Sequence, residues 1–318
     1  MITRVAQEKD VPEIVDLLVS VFPRHARSRL HWDWSHSDNR GVAVVAEHEN
    51  RIIGHYSFGY YPFRWRGRAY TAGYGQQAAV HPEHRDLRTI VELIKFAQQS
   101  ASAKCDFVFA FPNGNMAPLK ERLLGWKKVM TFPTLSLPLS DFGRRVRERA
   151  KKASDRGSVR RLTTFSGVDC PDRGTEDDGD VLTPVKNAKW FEWRYIAHPL
   201  NHYACFGAIV DDRCEGVMAL KTYSGDEERL GHVLELRSRG GLQPKLRLLS
   251  AAADFFEFMG VDRVAIWSQY KPNQRLYESL GFEASKSSST LYAKALTENL
   301  PDLAAADWSF DMGVSDVF

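Results

Sequence analysis

The sequence predicts an α/β protein in which one unit, a mixed sheet with helices packed on it, is built twice. Three observations carry this. The chain has 318 residues, enough for about two domains. Short strand-like apolar runs alternate with stretches of helical spacing. The chain also resembles itself at a shift of 156 residues.

At that shift VFAFPNGNMAPLKERLLGWKKV (108–129) lies over VAIWSQYKPNQRLYESLGFEAS (264–285). Both read as strand, polar turn, helix and then Leu-Gly-aromatic. Gly125 falls on Gly281, and Trp126 on Phe282. The helix around Ile90, Leu93 and Ala97 falls on the one around Leu246, Leu249 and Ala253. The apolar run ending at Val80 falls on VLEL, ending at Leu236. Upstream, VAVVAEHENRIIGHYSF resembles FGAIVDDRCEGVMAL at a shift of 162, so the halves differ by a six-residue gap. Four matches in one order argue for two copies of one fold.

Each copy reads β-hairpin, strand, helix, strand, helix, strand. The hairpins are pairs of β-rich runs around an acidic turn. The first helix of copy one has apolar residues at 87, 90, 91, 94 and 97, one buried stripe. Its counterpart has them at 246, 249, 253 and 256, with Gly260 as the stop. VFAF and VAIW are short apolar runs, as expected of strands covered on both faces. The expected domains are 1–140 and 181–318, joined by a linker at 141–180 that is basic and then acidic. Residues 144–161 hold nine Arg or Lys against two acids, and 169–180 hold six acids. The first reads as a solvated helix or a phosphate-meeting surface, the second as an exposed loop.

The net charge of +3 is too small to argue for a nucleic-acid binder. No apolar run approaches the ~20 residues that span a bilayer, so membrane insertion is not expected. The four Cys show no CxxC spacing, which fits free thiols in a reducing cytoplasm. No metal-ligand constellation and no GxGxxG or GxxxxGK[ST] stands out, so no metal is expected. The sequence leaves the oligomeric state open.

Val80, Pro82 and Arg85 in AAVHPEHRDLRTI (78–90), FPNGN (111–115) and LGW (124–126) form one series. KPN (271–273), LYESLGF (276–282) and WFEWRYIAHP (190–199) form a second. Together they resemble the GNAT (GCN5-related N-acetyltransferase) superfamily in tandem form, many of whose members act in bacterial surface-polysaccharide pathways. The resemblance implies two tandem GNAT-like domains, each a mixed, largely antiparallel twisted sheet flanked by helices. It also implies direct transfer from acetyl-CoA or another acyl-CoA to a small-molecule amine such as an amino sugar. Backbone groups of Ala78, Ala79 and Val80 would pair with the pantetheine arm as an added strand does. Arg85, Asp86, Leu87, Arg88, Thr89 and Ile90 would take the pyrophosphate at a helix N-terminus. Asn113 and Asn115 would bond pantetheine or the acceptor, or simply serve the turn.

The family loop is R-x-x-G-x-G/A. Here Arg88 and Ile90 stand at the glycine positions, so Arg88 either bonds the phosphates or crowds them. In copy two the loop reads RGGLQPK, with Gly241 for Arg85 and Pro244 for Arg88. Tyr277 stands where the family carries a Tyr that protonates the thiolate, and Glu121 is its counterpart in copy one. His81, Glu83 and His84 beside the loop read either as a base, His81 foremost, or as residues that simply face solvent. The aromatic hairpin YSFGYYPFRW (56–65) and Trp193, Arg194, Tyr195 and His198 read either as acceptor walls or as packing. Two rival functions follow. One is an aminoacyl-tRNA-dependent transferase that grips RNA with 144–161. The other is a non-catalytic binding or scaffold protein.

Overall fold

The structure, a computed structural model, describes residues 1–23, 28–151, 157–171, 180–225, 228–239 and 241–315. The strands, in chain order, begin with β1 (Ile2–Val5), β2 (Gly41–His48), β3 (Arg51–Trp65), β4 (Arg68–Val80) and β5 (Phe107–Ala110). They continue with β6 (Lys127–Pro138), β7 (Ser158–Leu162), β8 (Val181–Pro184), β9 (Ala204–Val210) and β10 (Arg213–Ser224). The last are β11 (Arg229–Ser238), β12 (Arg263–Ile266), β13 (Glu283–Ala295) and β14 (Asp307–Trp308). The helices are α1 (Val11–Val21), α2 (Arg29–His36), α3 (Leu87–Ala101), α4 (Met116–Leu124) and α5 (Leu139–Ala150). They end with α6 (Ala188–Phe191), which runs on as a π-turn over Glu192–Ile196, then α7 (Leu242–Phe258) and α8 (Lys271–Ser279). Among the described residues no helix is long and apolar enough to cross a membrane, and the four cysteines are free.

The chain divides into two compact units. Unit 1 is Met1–Thr131 with Thr290–Ala306; unit 2 is Phe132–Ser289 with Asp307–Phe318. Each is a mixed sheet flanked by helices, with the expected order of hairpin, strand, helix, strand and helix.

In unit 1 the strands lie in the order β1-β2-β3-β4-β5-β13, antiparallel except for the parallel pair β4–β5. α3 and α4 cover one face, where Val44, Phe58, Leu93, Ile94, Val108 and Trp126 form a closed apolar cluster. α1 and α2 cover the other, where Ile14, Leu17 and Trp32 meet Val45 and Ala79. Burial of this kind stabilises by about 25 cal/mol per Å² of apolar surface, which drives the sandwiching of the sheet.

In unit 2 the order is β6-β12-β11-β10-β9-β7, and β11–β12 is the parallel pair. Its core joins Phe142 and Val146 of α5 to Leu248, Leu249 and Phe256 of α7. Arg147 of α5 ties the same two helices from outside, reaching Asp254 and Glu257 at 2.7 Å each. Arg144 pairs with Asp141, while Arg145 and Arg149 bond Leu280 and Ser279, so these arginines of the basic stretch are engaged within the chain. Residues 152–156 of that stretch, 172–179 of the acidic loop and Gly240 lie outside the described residues.

The Leu-Gly-aromatic matches have a backbone cause. Gly125 follows α4 at φ +68° and Gly281 follows α8 at φ +79°. A left-handed residue after the last turn satisfies free helix carbonyls, and glycine takes that conformation without a Cβ penalty.

Both units draw a strand from across the chain. Residues 135–138 of β6 pair with β12 in unit 2, whereas residues 292–295 of β13 pair with β5 in unit 1.

Candidate functional site

β4 and β5 run together for only three pairs, Ala72↔Phe107 to Tyr74↔Phe109. β4 then continues for six residues to Val80, about 20 Å of strand at ~3.3 Å per residue. Among the described residues, β3 and β5 are the strands that pair with β4, so the edge over 75–80 is open. A bulge sits in this stretch. Tyr56 of β3 faces both Gln77 and Ala78, and Gln77 takes φ +55°. His81 N–H donates to Ile53 O at 2.8 Å. Alternation along an antiparallel ladder therefore turns the backbone of Ala79 toward β3 and that of Val80 toward the open edge. An extended ligand with amide groups can pair there as a further strand.

The loop after Val80 leads to the N-terminus of α3. Arg85 Nε donates to Val80 O at 3.2 Å, closing the turn. Asp86 caps the helix: its carboxylate accepts the Thr89 hydroxyl at 2.7 Å and the Thr89 N–H at 2.8 Å. These bonds, the hydroxyl's first, hold the Asp86 carboxyl below its usual pKa. The helix start thus already carries one negative group. Arg88 points along the helix surface and pairs with Glu92 at 2.8 Å. Leu87 and Arg88 are exposed, Thr89 is buried and Ile90 is half-buried. Met1 Sδ reaches the same helix start, accepting the Thr89 hydroxyl at 3.4 Å.

The other expected site residues are scattered. Asn113 Oδ1 accepts Met116 N–H at 3.0 Å, starting α4, and Asn115 is exposed. Glu121 is exposed, and its charge joins burial in raising the pKa of the Tyr292 hydroxyl. His81 Nδ1 accepts Glu83 N–H at 3.4 Å, and its ring borders a surface hollow of about 350 Å³ with Glu13, Asp16 and Arg51. Ligand atoms of His81, Glu83 and His84, the three residues grouped in the sequence, all lie within 4.8 Å of one another. Tyr277 belongs to the other unit, buried to 2% exposure and edge-on to Phe282 at 5.5 Å. The hairpin aromatics Tyr61, Phe63 and Trp65 are buried; Phe63 packs on Phe107 and Phe109. Arg194 and Tyr195 are buried too, with Arg194 bonding Tyr203 Oη and Ser315 O.

One residue escaped the sequence reading. Lys120 of α4 is 2% exposed, and its ammonium lies 3.6 Å from the centre of the Trp126 ring. It donates to Tyr56 Oη at 3.1 Å, and desolvation is the one influence resolved on its charge. Desolvation pushes its pKa down to about 7. Tyr56 Oη in turn rests on Gly75, where a Cβ would collide with it. Gly75 is the first residue of the open edge.

Unit 2 has the corresponding fork, since β11 pairs with β12 only from Leu230↔Arg263 to His232↔Ala265. Here the fork is filled. Ser268 bridges Asp311, Gln269 N–H donates to Phe310 O at 2.7 Å and Met312 N–H to Trp267 O at 3.2 Å. Gly313 packs against Leu234 O and Glu235 of β11, and Asn273 Nδ2 donates to Leu236 O at 2.9 Å. The chain's own segment 310–314 thus occupies the position that stays open in unit 1.

Two comparisons bear on this geometry. Residues 3–126 match the model of an acetyltransferase (GNAT) domain, a span that holds the whole open fork and the α3 loop. No curated protein matches the chain. Among solved structures, the chain is similar in fold to an Enterococcus faecalis V583 protein termed "Probable N-Acyltransferase". Its TM-score is 0.66 at 11% identity, over 93% of this chain and 73% of that one. A GCN5-related N-acetyltransferase from Anabaena variabilis gives 0.62 at 8% identity, over 93% and 73%. Saccharomyces cerevisiae N-myristoyltransferase with bound myristoyl-CoA gives 0.54 at 11%, over 92% and 82%. At these identities the likeness is one of fold.

Proposed function

We propose that the chain is a tandem GNAT-type N-acyltransferase that uses acetyl-CoA or another acyl-CoA in unit 1. The observation that carries this is the open fork over 75–80, which ends at the α3 N-terminus, whereas the chain itself fills the corresponding fork of unit 2. Pantetheine amides would pair along the edge, the Val80 N–H would face the thioester oxygen, and Arg85 and the α3 start would meet the pyrophosphate. A donor so placed is worth about 3–4 kcal/mol in acyl transfer. The acceptor is a small amine such as an amino sugar, attacking the thioester directly. The four free cysteines fit a cytoplasmic setting. The engaged arginines of α5 weigh against the RNA-gripping rival.

Isothermal titration with acetyl-CoA tests the reading. Saturable binding with thermal stabilisation is expected, and Arg85→Ala should weaken it. No heat and no stabilisation at millimolar acetyl-CoA would remove the acyltransferase reading. Asp86→Asn keeps a helix cap while deleting the charge that competes with phosphate. It should tighten acetyl-CoA binding roughly two- to five-fold. Unchanged affinity would place the pyrophosphate away from α3.

A further inference from the structure

The turn that joins β4 to α3 gathers nitrogen and oxygen donors in one short stretch, His81-Pro82-Glu83-His84. Pro82–His84 forms a single 3-10 turn, and His84 N–H donates to His81 O at 2.9 Å. In such a turn side chains three residues apart stand over one another, so the two imidazoles share one side of it. Their ring centres lie 6.0 Å apart. Glu83 joins them, with Oε2 3.8 Å from His81 Nδ1. One ligand atom from each of the three lies within 4.8 Å of the others. A further imidazole comes from a distant part of the chain. His48, the last residue of β2, packs edge-to-face with His84 at 5.5 Å between ring centres.

Two imidazoles and a carboxylate are a donor set for transition metals, whereas Mg²⁺ and Ca²⁺ take oxygen ligands. With bonds of about 2.0–2.1 Å, donors that share one Zn²⁺ sit roughly 3.3 Å apart, so the group must close by ~1.5 Å. The side chains have room to do so, since that of Glu83 is 81% exposed and that of His81 is 37% exposed. The surrounding charge suits a cation. The hollow bordered by His81 holds the carboxylates of Glu13 and Asp16 against the guanidinium of Arg51. The two arginines that follow in the chain are turned elsewhere, Arg85 to Val80 O and Arg88 to Glu92.

We infer that His81, Glu83 and His84 form a site for a divalent transition-metal ion, Zn²⁺ foremost, with His48 orienting the His84 ring. Three protein ligands leave the ion a position for water or another oxygen donor, as in accessible rather than sealed sites. The ion fastens the turn that carries the chain from β4 into α3, and it does so whether or not unit 1 binds acyl-CoA.

The test titrates tag-free, chelator-stripped protein with Zn²⁺ alone by calorimetry at pH 7.5, as wild type, His81→Ala, His84→Ala and Glu83→Gln. The wild type should take up one ion per chain at micromolar affinity. Outer partners of metal ligands already carry about ten-fold in affinity, so loss of either ligand imidazole should cost at least that. Glu83→Gln, which keeps a weaker oxygen donor, should lose less. Millimolar Mg²⁺ should not compete. Without metal the four proteins should melt alike, and Zn²⁺ should raise the melting temperature of the wild type most. Co²⁺ bound in place of zinc should show no thiolate-to-metal band, since the four cysteines stand outside the turn. No saturable uptake, an unchanged affinity in both His variants, or a thiolate band overturns the site. Each of those results leaves the acyl-CoA reading to its own titration.

Discussion

Lys120→Leu is expected to stabilise the protein at pH 7 and to flatten its stability above that pH. An exposed lysine titrates near 10.5, whereas burial brings Lys120 down to about 7. Between those values the unfolded chain binds more protons than the folded one, so the wild type gains stability as pH rises from 7 toward 10.5. The lost stability is fully felt below pH 7, where both states carry the proton. A difference of that size corresponds to on the order of 4–5 kcal/mol for a group without exposure. Urea unfolding of both proteins at pH 7 and pH 9.5 measures it. The gap in stability should be wide at pH 7 and much narrower at pH 9.5. A gap that does not change with pH would show that the amine is solvated.

Gly313→Ala should be strongly destabilising. The added Cβ would collide with Tyr195 Oη, lie 2.7 Å from Glu235 Oε1 and 3.2 Å from Leu234 O. None of these can step aside. Tyr195 is packed between Trp190 and Tyr203, at 5.6 and 5.0 Å between ring centres. Glu235 is fully buried and held by Lys186 and Arg237. Overpacking in a rigid core costs about 1–3 kcal/mol and more when charge is displaced. The expected loss is thus ~3 kcal/mol or more by urea unfolding, with faster proteolysis of the C-terminal segment. Gly114→Ala is the control, since nothing lies within 4 Å of its Cβ position. Equal behaviour of the two variants would mean that 310–314 does not seat in the fork.

Much of the fold was legible because it rests on local chemistry. The period of α3, the short apolar strands and the glycines at 125 and 281 all state their structure in neighbouring residues. Asp86 was legible in principle: an Asp before a helical stripe, three residues ahead of Thr89, is a cap signal. The resemblance drew attention to phosphate binding at that loop instead. Lys120 carried a signal too, a charged residue opposite Leu276 at an apolar position of the repeat. Other features had no local mark. The bulge at Gln77 and the seating of 310–314 depend on which distant backbone completes a ladder, and hydrogen-bond partners leave no trace in residue type.

The exchange of strands bears on how the chain is made. β5 acquires its second neighbour only when residues 292–295 exist, long after Phe107–Ala110 has been made. Until then Phe107–Ala110 presents an uncovered edge of four apolar residues to the ribosome's surroundings. The N-terminal unit therefore cannot mature by itself while the rest is translated, as independent domains do. It must wait, partly assembled, until β13 has been made. Cutting the chain between β6 and β12 would yield two fragments, each missing a strand that the other carries.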